Sequence, residues 1–187
     1  MDDPASKSSA LELAPLLSSP LLTPATRHAL QDRLEQGASG FVAFSPKEGE
    51  VLEAVSVLLV PHDPLLLPLA RRIDARLWRG EADGWRYDSQ PPDGEAYRAL
   101  LASLPTDFLT LKEPEQTAAL RSAQHAHPRG FEDLLAELTE SYYADPRSQV
   151  GIAFVGFADA RGWQETGLDA PDPNEEAAWR ALGRHQP

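Results

Sequence analysis

The chain has 187 residues, 29 of them acidic and 17 basic, for a formal net charge of −12, and 42% are hydrophobic. That is enough apolar material for the core of one domain and argues against wholesale disorder. The absence of cysteine excludes disulfides, thiolate zinc sites, iron–sulfur ligation, a cysteine nucleophile and covalently attached c-type haem. The acidity argues against unspecific binding to a nucleic-acid backbone, which needs a basic face.

The first twelve residues are polar and are expected to be disordered, with residues 13–187 forming a single helical domain. Asp2 and Asp3 contradict the basic start of a secretory signal, and Arg71-Arg72 lies mid-chain. The most apolar stretch, Val55 to Ala70, is interrupted by Pro61, His62, Asp63, Pro64 and Pro68. A membrane span needs about 20 mostly apolar residues, so no membrane insertion is expected. On these signals the chain reads as cytoplasmic, or as periplasmic if it is exported with a partner or has lost a signal.

Several of the 17 prolines sit where a helix begins. Thr23-Pro24 offers an N-cap followed by proline at the first helical position. Ser45-Pro46 repeats the device, and Glu48 completes a capping box with Ser45. Asp63-Pro64 does so again, and Thr110 with Glu113 reads as a further box. Between these starts the apolar residues recur at helical spacing. Val51, Leu52, Val55, Leu58 and Leu59 form one face. Leu66, Leu69, Ile73 and Leu77 form the next, with Trp78 beside Leu77. Tyr97, Leu100, Leu101 and Leu104 mark a shorter helix, and Ala118, Ala119, Leu120 and Ala123 another. Phe131, Leu134, Leu135, Leu138 and Tyr142 give the clearest stripe, on a helix from about Gly130 to Ala144 that Asp145-Pro146 ends. A last short helix is expected from Glu175 to Leu182. The fold class is therefore all-α: a single compact bundle of short helices with at most a minor β element. Phe41 to Phe44 and Ile152 to Val155 are the two short apolar runs that read either as minor strands or as buried irregular segments.

Few motifs carry chemistry. His125-Ala-His127 is the nearest approach to a metal pair, but no second pair accompanies it, and the simpler reading is a solvated turn. His62-Asp63 invites a general-base reading, against which Asp63 caps the following helix and His62 fills the turn. Glu132, Asp133, Glu137 and Glu140 read as a solvated face of the Phe131 helix. Neither a glycine-rich phosphate loop nor a G-x-S-x-G serine motif is present. From Tyr142 to Trp163 two tyrosines, a tight turn, glycines and a tryptophan crowd together, which suits an interface and a core edge equally.

The order of segments resembles a known family. Ser45-Pro46-x-Glu48 leads into an apolar helix ending in Leu59-Val60-Pro61-His62-Asp63. Ala70-x-x-Ile73-Asp74-x-x-Leu77 follows, then Phe108-Leu109-x-Leu111, Phe131-x-x-Leu134-Leu135, and Leu138-Thr139-x-x-Tyr142-Tyr143-x-Asp145-Pro146, with Gly156-Phe157 after it. This arrangement, from about Ser45 to Trp163, resembles the small subunit (subunit 3, or gamma) of gluconate 2-dehydrogenase and related sugar dehydrogenases. Arg147-Ser148-Gln149 stands where the family often has Gly-Gly-Asn, and the family's twin-arginine signal is not seen.

The resemblance implies a mainly helical accessory subunit with no active site, cofactor or metal of its own. Its partner would be a large flavin subunit of the glucose-methanol-choline class, which holds FAD and oxidises a sugar or sugar acid. A cytochrome c subunit often completes such complexes. The small subunit would support maturation of that partner. Candidate interface residues are then His62, Asp63, Asp74, Tyr142, Tyr143, Asp145, Pro146 and Trp163. Two other functions stay open: a small helical hydrolase or metal-dependent enzyme using His62, Asp63, His125 or His127, and a stand-alone acidic interaction protein.

Overall fold

The computed structural model describes residues 13–14, 17–18, 22–35, 40–81 and 90–151. The expected disordered segment 1–12, the Ile152 to Val155 run, the Glu175 to Leu182 helix and Trp163 lie outside these residues. In chain order the elements are α1 (Pro24–Glu35), α2 (Pro46–Leu59), α3 (Leu69–Trp78), α4 (Asp93–Ala102), a single 3-10 turn (Phe108–Thr110), α5 (Glu113–Ala126), α6 (Pro128–Ala144) and α7 (Pro146–Gly151). Among the described residues there is no strand. The fold is all-α, as the helical spacing and the proline positions require.

Local chemistry explains most of the boundaries. Thr26 N–H donates to Thr23 Oγ1 at 3.3 Å, capping α1. At α2 the box is complete: Ser45 N–H donates to Glu48 Oε2 at 2.8 Å, and Glu48 N–H donates to Ser45 Oγ at 3.4 Å. The next helix begins later than its apolar spacing suggests. Asp63 caps only one turn, with Leu65 N–H donating to its Oδ1 at 2.9 Å, and α3 starts at Leu69. Pro68 is the physical reason. It has no N–H to donate to Pro64, and it disfavours helical geometry at Leu67. The box expected at Thr110 and Glu113 also moves. Thr110 belongs to the 3-10 turn, and Lys112 N–H donates to Glu115 Oε2 at 3.0 Å instead.

Helix α3 ends in a complete Schellman motif. Glu81 N–H donates to Arg76 O at 3.2 Å and Gly80 N–H donates to Leu77 O at 3.1 Å. Gly80 sits at φ 68°, the left-handed conformation that glycine adopts without a Cβ penalty.

The 17-residue helix α6 is the axis of the molecule. It packs against α3, α4, α5 and α7, while α2 closes over α3 and α4, and α1 lies against α7. Leu134 and Leu138 of α6 meet Leu52 and Val55 of α2, Leu69 and Ile73 of α3, Leu100 of α4, Phe108 and Leu120 in one continuous core. Each such side chain contributes about 1.5–3 kcal/mol when fully buried.

The Phe41 to Phe44 run is neither strand nor helix. It is clasped. The Asp74 carboxylate, fully buried on α3, accepts hydrogen bonds from three consecutive backbone amides: Val42 N–H at 2.7 Å, Ala43 N–H at 2.9 Å and Phe44 N–H at 2.7 Å. Arg98 of α4 donates to Ala43 O at 2.6 Å and lies over the Phe44 ring, and Arg71 lies over the Phe41 ring. One side chain thus does for this segment what a neighbouring strand would do.

The Phe41 ring also lies on α2. A Cβ added at Gly49 would come within 2.3 Å of two atoms of that ring. Gly49→Ala is therefore expected to destabilise the protein by about 1 kcal/mol or more, although alanine in place of glycine would otherwise favour a helix by up to about 1 kcal/mol. A lowered urea midpoint with an unchanged slope is the expected observation. An increase would show that Phe41 moves aside freely.

Candidate functional site

Three places in the structure bear on function, and the first two hold sequence-derived candidates. The first is the turn between α2 and α3. Asp63 is exposed and half-buried His62 points inward. His62 Nδ1 lies 2.5 Å from Val60 O, so that nitrogen carries the hydrogen, because a carbonyl can only accept. Its Nε2 is buried and, among the described residues, meets no hydrogen-bonding group. The pair is therefore not arranged as a base oriented by a carboxylate: Asp63 bonds to Leu65, and His62 to its own backbone neighbourhood.

Beyond this turn lies a feature that helical spacing concealed. Leu65-Leu66-Leu67 stands between Pro64 and Pro68. Leu67 is buried, whereas Leu66 is 40% exposed and Leu65 is 88% exposed. The apolar spacing places Leu66 on a core-facing stripe, but Pro68 delays the helix and leaves two leucines at the tip of a turn. Three leucines between prolines were the available signal.

Pro64 joins this tip to a cleft of about 420 Å³ between α2 and the start of α5. Ala54, Val57, Leu58 and Pro64 supply its apolar wall, and Glu50, Glu53 and Glu113 its polar edge. Glu53 is met by Arg71, with Nε 3.5 Å from Oε2. Glu50 and Glu113 are exposed and, among the described residues, make no ion pair.

The second place is the corner where α6 ends and α7 begins. Asp145 is fully buried and serves as the N-cap of α7, its Oδ1 accepting Arg147 N–H at 2.8 Å. Arg147 Nε and Nη2 also donate to Asp145, both at 2.9 Å. Arg72 of α3 donates to Asp145 Oδ2, to Arg33 O of α1 at 2.7 Å and to Ser141 O of α6 at 3.3 Å. Burial pushes the Asp145 carboxyl up, but the hydrogen bonds of Arg147 and Arg72, with the charge of Arg72, outweigh it and hold the group below the usual carboxylate range. Pro146 is buried beside it. Tyr142 is half-buried and stacks edge-on against Tyr143, with ring centroids 5.2 Å apart, and Tyr143 is 53% exposed. Asp145, Pro146 and Asp74 are thus interior groups holding this chain together, whereas Tyr143 faces outward.

The third place is a charged network that the solvated-face reading of α6 missed. Glu137 does not face open solvent. It accepts two hydrogen bonds from Arg76 of α3 and one from Tyr97 Oη of α4, the last at 2.8 Å. Arg76 also donates to Asp93 Oδ2 at 3.0 Å from Nη2 and to Glu81 O at 2.7 Å. Half-buried Glu137 and Arg76 sit beside a cleft of about 280 Å³ that Arg33, Arg72 and Glu140 also line. Both signs of charge are present and largely matched, so the cleft has no single-sign field to concentrate a charged ligand.

Burial, then the charge of Glu137 and its hydrogen bond, pushes the Tyr97 phenol far above its ordinary value. A folded-state pKa raised in this way contributes stability that is present below about pH 10 and lost as pH rises beyond it. In an alkaline titration of the four tyrosines, the last phenolate signal is expected to appear together with loss of the helical signal. Complete ionisation while the helices remain intact would contradict this placement of Tyr97.

The two remaining histidines of interest do not converge with the others. His125 lies in the last turn of α5, its Nδ1 2.6 Å from Arg121 O, and His127 links α5 to α6. Among the described residues no group of three or more histidines and carboxylates is placed to hold a metal ion. Among the same residues no helix is long and apolar enough to cross a membrane. Comparison with family models, with curated proteins and with solved structures finds no match.

Proposed function

We propose that this chain is an accessory subunit that docks on a larger protein and has no catalytic centre of its own. From the segment order between Ser45 and Trp163, we propose a large FAD-dependent dehydrogenase of the glucose-methanol-choline class as that partner, with a cytochrome c subunit completing the complex. FAD would reside in the partner. The observation that carries the docking reading is the leucine tip, where Leu65 and Leu66 stand open to solvent beside an apolar cleft. A contiguous exposed apolar patch rimmed by polar residues marks an interaction site. The distribution of charge supports the same reading. Asp145, Arg72, Arg76 and Glu137 hold helices to one another and Asp74 holds the 41–44 segment to α3, which is architectural work rather than chemistry on a substrate.

The test is co-purification. The full chain, tagged and expressed with the large oxidoreductase of its own genome neighbourhood, is expected to bring down a flavin-containing protein in fixed proportion. Leu65→Asp/Leu66→Asp is expected to lose that protein while keeping its own melting temperature within about 2 °C, because neither side chain belongs to the core. Elution of the wild-type chain as a free monomer in every preparation would overturn the proposal.

A further inference from the structure

We infer that the cleft between α2 and α5 receives a basic, amphipathic segment of a partner protein, with apolar side chains against Val57, Leu58 and Pro64 and cationic side chains against Glu50 and Glu113. The inference deepens the docking reading and rests on it only for there being a partner. Three features converge. The wall is apolar, and Val57 does not belong to the core cluster or to the side chains packed against it, so among the described residues no element covers this part of α2. The cleft is large enough, at about 420 Å³, to accept one or two leucine-sized side chains, and it continues through Pro64 to the exposed Leu65.

Charge selects the occupant. Glu53 has its cation in Arg71, whereas Glu50, from α2, and Glu113, from α5, have none among the described residues. An occupant carrying carboxylates would meet like charge from both Glu50 and Glu113, and a neutral one would leave both carboxylates less hydrated without compensation. Lysine or arginine at the margins of an apolar stripe satisfies both carboxylates, with the side-chain stems lying along the apolar wall. An amphipathic helix seated in a groove is the simplest form of such a segment.

The probe is a labelled synthetic helix of leucine and lysine at heptad-like spacing, with a leucine–glutamate counterpart as comparison, titrated against the full-length protein. The lysine peptide is expected to bind saturably and the glutamate peptide not. Glu50→Lys/Glu113→Lys is expected to weaken binding by roughly tenfold or more, and Val57→Asp by a similar factor. Glu132→Lys/Glu140→Lys changes the net charge by the same amount on exposed positions of α6 and is expected to leave binding within about twofold. Equal weakening by both charge-reversal pairs would mean attraction to net charge alone and would overturn the inference, as would equal binding of the two peptides. Concentration-dependent dimerisation that Glu50→Lys/Glu113→Lys abolishes would assign the cleft to a second copy of the chain and overturn it too. Co-purification of the flavin partner with the Glu50→Lys/Glu113→Lys variant would sink the cleft assignment and leave the accessory role standing. Peptide binding at the cleft without any flavin partner would do the reverse.

Discussion

Asp145→Ala is expected to lower stability by about 3–5 kcal/mol, the cost of removing one partner of a buried ion pair. Natural domains are stable by only about 5–15 kcal/mol, so the variant should melt roughly 10 °C or more below the parent. The change takes away the carboxylate to which both Arg72 and Arg147 donate, and it removes the N-cap of α7. Arg72 is almost fully buried and holds Arg33 O and Ser141 O as well, so the loss spreads to the α1, α3 and α6 contacts. Acid provides an independent check. Because the folded-state pKa of Asp145 is depressed, its contribution is fully present above the ordinary carboxylate value of about 3.9 and is lost as pH falls through the folded value. The parent and the variant should therefore differ most near neutrality and converge in strong acid. A melting temperature within about 2 °C of the parent at neutral pH would show that Arg72 finds full compensation elsewhere.

The second large effect is expected at Asp74. Replacement by alanine leaves the Ala43 and Phe44 amides without their acceptor, together with the more accessible Val42 amide. A buried donor left unsatisfied costs about 1–3 kcal/mol. With water reaching Val42, the expected total is about 2–5 kcal/mol. Asp74→Asn should cost less. Its single carbonyl oxygen can still accept from Ala43 and Phe44, which share Oδ1 in the parent, while its NH₂ faces the Val42 N–H. The order Ala > Asn in denaturant midpoint loss, with constant slope, is the result to look for. Asp74→Ala as stable as the parent would mean the 41–44 segment has another anchor. Because Asp74 is also a candidate interface residue, the comparison is best made on the free chain, where any loss belongs to the fold.

The two aspartates show how far the residues could be read in advance. That Asp145 precedes a proline after a strong helix marks a boundary, and α6 does end there. That the same side chain starts α7 and neutralises an arginine 73 positions earlier depends on how α3 crosses α6, and helical periodicity carries no information about crossing. The Ser45–Glu48 box was legible because all its atoms lie within one turn. The Phe41–Phe44 clasp was not, because its acceptor is some 30 residues away. Glu137 reads as solvated because its neighbours one helical turn away, Asp133 and Glu140, are acidic. The arginine and tyrosine that cover it come from other helices. At the proposed docking site the cause is local, since a proline three residues beyond Leu65 stops a helix that the leucine spacing alone would extend.

The central position of α6 also sets a timetable. Helices α2 and α3 leave the ribosome with Val55, Leu69 and Ile73 directed at a helix not yet made. The Arg76–Glu137 pair spans 61 residues, about 3–12 s of synthesis at roughly 5–20 residues per second. For that interval the earlier helices have no axis to close upon, and an apolar surface larger than the leucine tip stands open. The nascent chain is therefore at its most aggregation-prone just before α6 emerges, and slowing translation there would lengthen the exposure rather than help the fold.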